Sequence, residues 1–253
     1  MSIAPKKNPW IPQYKPNPEA NLRLFCFPHA GGTTYTFRQW SSFLPKTVEL
    51  CSIELPGRFR RINEPPYQEL NSLVSTLSTE LIPYFDKPFA FFGHSMGGFI
   101  SFELTCLLRK QFNQSPLHLF VSGCRAVHLP NPNPIIHNLD DEQFIRAING
   151  YGGIPQEVLN HREMMELLLP ALKADFTMFE NYVYDRKSPL DIPITVFGGK
   201  QDPIVSQAEL EAWQEHTSAD FSLYMFEGKH FFLEEQREKI LECISSDMAN
   251  YNL

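Results

Sequence analysis

From residue 22 onward, short and almost wholly apolar runs alternate with longer stretches in which apolar residues recur every three or four positions. The short runs suit strands buried on both faces and the longer ones suit amphipathic helices, so the alternation predicts βαβ units around a largely parallel sheet. Strands are expected at 22–27, 48–53, 89–92, 118–122, 194–197 and 221–226, and helices at 70–85 and 98–111. Ser206-Gln207-Ala208-Glu209 has the spacing of a capping box opening a helix toward His216, and a last helix is expected over 234–248.

One interval breaks this rhythm. About 70 residues separate the strand ending near Ser122 from the one beginning at Ile194, too many for an ordinary connection. They open on Leu129-Pro130-Asn131-Pro132-Asn133-Pro134 and continue with helical patterns at 140–148 and 164–184, split by the turn 150–155. The expectation is a single α/β domain over 1–253 carrying an inserted helical lid over 125–190. The lid is rich in Met164, Met165, Leu168, Phe176, Met178 and Phe179, side chains that line an acyl tunnel or simply form core.

Composition narrows the function classes. With 253 residues, 43% hydrophobic and 20% charged, the chain can bury a sizeable core. Its 22 Lys and Arg against 29 Asp and Glu leave a net charge of −7, the wrong sign for neutralising phosphate backbones, so no nucleic-acid partner is expected. No run approaches the length of a membrane span, and residues 1–18 lack the apolar middle of a signal peptide. A cytoplasmic protein with no membrane partner is expected. Cys26, Cys51, Cys106, Cys124 and Cys243 are odd in number and widely spaced, which argues against a disulfide framework or a structural zinc site, and no metal is expected.

The strongest chemical signal is Gly93-His94-Ser95-Met96-Gly97, a G-x-S-x-G directly after an apolar strand and directly before a helix. Ser95 then sits on a sharp strand-to-helix turn with its hydroxyl in the open, and small neighbours permit the strain. A serine hydroxyl needs an adjacent base, itself oriented by a third group, and this motif places them later in the chain, acid before histidine. Of eight histidines, His29 and His94 belong to glycine-rich motifs, His118 starts a strand, and His128, His137 and His161 fall in the lid or its entry. His216 ends a helix, where a cation suits the dipole. His230 sits in a short loop between the last strand and last helix, at the sheet edge where open α/β folds gather reactive groups. By the same logic Asp202 is the candidate acid, in the turn after 194–197, whereas Asp175 and Asp185 fall in the lid and Asp191 at the opposite edge.

Acyl transfer also needs donors for a tetrahedral oxyanion. The N–H of Met96 is the first candidate, and the loop Phe27-Pro28-His29-Ala30-Gly31-Gly32 offers the second, Ala30 before Gly31. Leu55-Pro56-Gly57-Arg58-Phe59-Arg60-Arg61 puts three arginines on the reactive edge of an acidic protein. Arg58, Arg60 and Arg61 are candidate contacts for an anionic ligand or acidic partner, or else a solvated loop.

Together with Gly198-Gly199-Lys200-Gln201-Asp202, Gly228-Lys229-His230-Phe231-Phe232 and the lid stretch 168–176, these motifs resemble the type II, stand-alone thioesterases of non-ribosomal peptide and polyketide synthesis. The resemblance spans about residues 22–245, with one departure at Phe59, where relatives often carry a small residue. It implies an α/β-hydrolase fold and removal of stalled or aberrant acyl groups from the phosphopantetheine arm of acyl or peptidyl carrier proteins. Ser95 would be nucleophile, His230 base and then acid, Asp202 the orienting carboxylate, and Met96 with Ala30 the oxyanion hole. No bound cofactor is implied, since the pantetheine arm belongs to the substrate, and a monomer is expected. Competing readings are a medium-chain fatty acyl-carrier-protein thioesterase, a small-molecule ester hydrolase and a hydrolase fold kept as a binding module.

Overall fold

A computed structural model of the protein describes residues 8–251; the expectations for the first seven residues and the last two lie outside the described residues. Six strands, β1 (Leu22–Phe27), β2 (Val48–Ser52), β3 (Phe89–His94), β4 (Leu119–Ser122), β5 (Ile194–Gly199) and β6 (Phe221–Phe226), form one sheet in the order β2-β1-β3-β4-β5-β6. Every neighbouring pair is parallel.

Successive side chains of a strand point to opposite faces, and the cores follow that alternation. Phe25 and Phe27 of β1 and Phe89 and Phe91 of β3 pack on one face with α1 (Leu70–Glu80) and α2 (Met96–Phe112). Leu22, Leu24 and Cys26 of β1 and Ala90 and Phe92 of β3 pack on the other, against Phe37, Trp40 and the last helix. Because both faces are covered, the strands read as continuous apolar runs. Arg23 of β1 and Glu49 of β2 are the buried charges within these runs; the Arg23 guanidinium is paired with Glu49 and with Asp86. Cys26 and Cys51 also lie buried in β1 and β2, where burial pushes both thiols up.

The expected elements are present with small shifts at their ends. The helix expected over 70–85 stops at Glu80 and a 3-10 turn, Ile82–Tyr84, follows, since Pro83 has no N–H to continue the ladder. Ser206 and Glu209 form the capping box, but the helix it opens is short, Gln207–Glu211, before a 3-10 turn ending at His216. Between β4 and β5 lie α3 (Asp141–Tyr151), α4 (Gln156–Leu159) and α5 (Arg162–Glu180), packed around Phe144, Ile148, Leu172 and Phe176. The short helix Gln207–Glu211 is α6, and α7 (Arg237–Ala249) closes the chain against the sheet.

Chain order reverses between β1 and its two neighbours, β2 and β3, so the loops after β1 and β3 diverge and open a crevice at the carboxyl edge of the sheet. The first turn of α2 lies directly on the end of β1. A Cβ on Gly97 would sit 2.1 Å from the Phe27 carbonyl oxygen, and one on Gly93 would sit 2.1 Å from the Gly97 carbonyl oxygen. No side chain fits at either position.

His216 departs from its expected role as a helix-end cation. It is buried against Phe102 and Trp213 with its Nε2 2.7 Å from His128 Nδ1, and burial, helped by His128 and Lys187, pushes its pKa down to about 4. The ring is therefore neutral at pH 7.

Two outcomes follow from this packing. Gly97→Ala should cost about 3 kcal/mol or more in a urea titration, because backbone must move; a loss below about 1 kcal/mol would show that the approach is not tight. For His216, the ring is neutral in both folded and unfolded chains above its ordinary value of 6.5. Between 6.5 and about 4 only the unfolded chain takes up the proton, so stability falls as pH falls, by up to about 1.4 kcal/mol per pH unit. The urea midpoint should therefore drop between pH 7.5 and 5, and His216→Gln should shrink that drop; an unchanged or larger drop counts against the buried neutral ring.

Candidate active site

Ser95 occupies the turn between β3 and α2 with φ 53° and ψ −118°, a backbone that few residues other than glycine adopt. The turn is held by the Ser95 N–H, which donates to the Ser122 carbonyl at 2.7 Å, and by the glycine contacts of α2 on β1. Strain at one residue is thus fixed by packing at its neighbours. The side chain opens at the carboxyl edge of the sheet, beside the N-terminus of α2.

Asp202 leaves the turn after β5, and His230 the loop after β6. The two loops are tied together: Gln201 N–H donates to the Gly228 carbonyl at 3.0 Å, and Gly228 N–H donates to Gln201 Oε1 at 2.6 Å. Asp202 Oδ1 accepts from the N–H groups of Ile204 (2.8 Å) and Val205 (3.2 Å), which turns Oδ2 toward His230. His230 Nδ1–H donates to that oxygen at 2.7 Å, leaving Nε2 3.0 Å from Ser95 Oγ. The side chains of both His230 and Asp202 are almost fully buried. The arrangement can take a proton from the serine hydroxyl while a fixed negative charge steadies the imidazole.

Two further histidines, which the sequence reading left in their glycine motifs, pack around this group. The His94 ring lies 5.3 Å from that of His230 and 6.0 Å from that of His29, and Phe231 touches all three. Burial pushes His29 down to about 4 and His94 well below the ordinary histidine range, and the nearby His230 adds to both shifts. Both rings are neutral at pH 7, so neither places a positive charge beside His230. His29 Nδ1–H donates to the Ala30 carbonyl at 2.9 Å.

A cavity of about 90 Å³ opens beside Ser95 and His230, lined by Ala30, Met96, Leu172 and Phe176 among others. The Met96 N–H is the first of α2 and has no carbonyl within the helix to bond. Gly31, the second choice for an oxyanion donor, is unavailable: its N–H donates to Asp175 Oδ2 at 2.7 Å. Of the lid side chains considered for an acyl tunnel, Phe176 and Phe179 line the cavity, Met165, Leu168 and Met178 pack into core, and Met164 is exposed.

The arginine loop differs from expectation. Arg58 is fully buried and forms a bidentate pair with Asp175, at 2.6 and 2.7 Å. Arg61 is buried too, pairing with Glu64, donating to the Glu54 carbonyl at 3.0 Å and lying over Trp10. Neither guanidinium faces an incoming ligand, because each is enclosed by its own partners. Arg60 alone of the three is exposed, over the ring of Phe59. Phe59 adopts φ 43°, in the left-handed region that favours glycine, which is the physical content of its departure from a small residue. Asp175, set aside as a lid residue, is the buried carboxylate the sequence reading missed; the available signal was a carboxylate set among the apolar residues of α5.

Residues 22–248 match the thioesterase domain family. The chain is 45% identical to the gramicidin S biosynthesis protein GrsT of Aneurinibacillus migulanus, over 98% of this chain and 97% of that one. It is 42% identical to a protein of Brevibacillus parabrevis named linear gramicidin dehydrogenase LgrE, over 96% of this chain and 93% of that one. The solved structure of the type II thioesterase BorB from the borrelidin biosynthetic cluster superposes with a TM-score of 0.83 at 32% identity, covering 94% of this chain and 95% of that one. The protein belongs to the thioesterase family, with an α/β-hydrolase fold, and is a thioester hydrolase of the type II class found in non-ribosomal peptide and polyketide pathways.

Proposed function

We propose that this enzyme clears acyl groups from the phosphopantetheine arm of carrier proteins through an acyl-enzyme on Ser95. The observation that carries the reading is the unbroken chain Ser95 Oγ, His230 Nε2, His230 Nδ1, Asp202 Oδ2, with links of 3.0 and 2.7 Å at the edge of the cavity. Ser95 Oγ attacks the thioester carbonyl while its proton passes to His230 Nε2, and Asp202, still ionised, steadies the imidazolium. The oxyanion accepts from the N–H groups of Met96 and Ala30. Collapse breaks the carbon–sulfur bond, and the departing thiolate takes the proton from His230. Water then repeats the sequence against the acyl-enzyme, giving the free acid and restoring Ser95.

The cavity speaks for short acyl groups. At about 90 Å³ it is smaller than the roughly 150 Å³ void that admits benzene, so it suits an acetyl or propionyl group better than a medium-length fatty chain. This favours removal of small, wrongly loaded groups over release of a fatty acid. The dehydrogenase name of one relative points to hydride transfer, which the fold does not favour. A dinucleotide site needs a glycine-rich turn opening a long helix after the first strand, and here residues 28–33 lead into a four-residue 3-10 helix, Thr34–Phe37.

Two assays test the reading. Ser95→Ala and His230→Ala should each lower hydrolysis of an acetyl-phosphopantetheinyl carrier protein by at least about 10³-fold while leaving the fold intact; turnover retained in either variant overturns its assigned role. With native enzyme, kcat/KM on acetyl carrier should exceed that on dodecanoyl carrier by about tenfold or more, and the same acetyl group on free pantetheine should be a poorer substrate. A preference for the long chain would instead make the enzyme a medium-chain acyl thioesterase.

A further inference from the structure

Residues 171–178 of α5 bury Ala171, Leu172, Ala174, Phe176 and Met178, and in their midst Asp175 is buried as well. A lone carboxylate there is costly unless it is paired and hydrogen-bonded. Both its oxygens take Arg58, and Oδ2 also accepts the Gly31 N–H at 2.7 Å. Arg58 Nη1 in turn donates to the Gly32 carbonyl at 3.4 Å, and Arg58 Nε to the Pro56 carbonyl at 3.2 Å. The peptide unit joining Ala30 to Gly31 is therefore held from both ends, its carbonyl by His29 Nδ1 and its N–H by Asp175. Gly31 itself, at φ 73°, disfavours a side chain, and a Cβ there would lie 2.5 Å from Leu172 Cδ2 of the same helix and force that side chain to shift.

We propose that Asp175, oriented by Arg58, is the positioning residue of the oxyanion loop: by fixing the Ala30–Gly31 peptide it aims the preceding N–H, that of Ala30, at the substrate oxygen. The inference rests on the reading of Ser95 as nucleophile and of Ala30 as a donor. A carboxylate bound to an N–H is a stronger anchor than a neutral acceptor, and its guanidinium partner stops it from rotating. The same contact ties α5, which lines the acyl cavity, to the loop that polarises the carbonyl.

A buried ion pair can often be exchanged for apolar residues of similar volume without loss of stability, which separates positioning from mere support. The double variant Arg58→Met/Asp175→Leu removes both charges and the acceptor, whereas Arg58→Met/Asp175→Asn restores a neutral acceptor for the Gly31 N–H. With acetyl carrier protein as substrate, the Leu variant should lose about 10- to 100-fold in kcat with KM moved less than about threefold, and the Asn variant should recover most of that loss. Equal kcat in the two variants, or a loss confined to KM, overturns the proposal. Should a double variant fail to fold, the single variants carry the test. Arg58→Lys keeps the charge but gives up the two-point grip, and Asp175→Glu displaces the carboxylate, so each should lose about tenfold or more in kcat with KM moved less than about threefold. Native kcat in either variant, or a loss confined to KM, is again decisive against positioning. Ser95→Ala in the same series keeps the claims apart: turnover surviving there overturns the nucleophile assignment, while turnover lost there and equal kcat in the paired variants overturns the role of Asp175 alone.

Discussion

The structure depends on one backbone-to-backbone approach, the first turn of α2 resting on the end of β1. Gly97 leaves no atom between these two main chains, and Gly93 on β3 leaves none beneath the Gly97 carbonyl, so the chain reverses from strand to helix within a single residue, and that residue is Ser95. The unfavourable φ of Ser95 is held by this contact and by the bond to Ser122 on β4. Any side chain at the approach would push α2 away from the sheet and carry with it both the hydroxyl and the first free N–H of the helix. The crevice exists for a related reason, since the reversal of chain order around β1 is what parts the loops on either side.

Around that approach the molecule handles charge by enclosure. Arg58 with Asp175, and Arg23 with Glu49, are taken out of water in pairs, and each pair joins elements distant in the chain. Moving α5 away from the loop after β1 would strand two such charges at a cost of several kcal/mol, so this helix is anchored to the body at the same place where it covers the site. The histidines near Ser95 follow the opposite rule. His29 and His94 are buried without a carboxylate bonded to either ring and stay neutral, whereas His230 has Asp202 at its Nδ1. Three rings a few ångströms apart thus differ in their partners, and one alone of them meets an anion directly.

Much of this was legible in the order of residues. The six strands and the main helices follow from hydrophobic periodicity, which is a local property and survives without knowledge of contacts. The convergence of Ser95, Asp202 and His230 was legible because the edge at which each emerges is set by its own strand, and a parallel sheet brings the carboxyl ends of all its strands together. Failures came where a side chain's role depends on what lies across from it. The three arginines of the loop after β2 look alike in sequence, yet two are enclosed and one is not. His216 has the position of a helix-end cation and the surroundings of a core residue.

The sequence by itself determined the layering, the strained serine turn and the set of groups brought to one edge, because these rest on periodicity, glycine geometry and chain direction. Only the tertiary structure decided which charges are partners, which histidines are neutral and which backbone N–H remains free. Arg58 and Asp175 are 117 residues apart, and Gly31 and Asp175 are 144 apart. No local pattern relates residues at such separations; folding brings them together, and burial then makes their interaction strong.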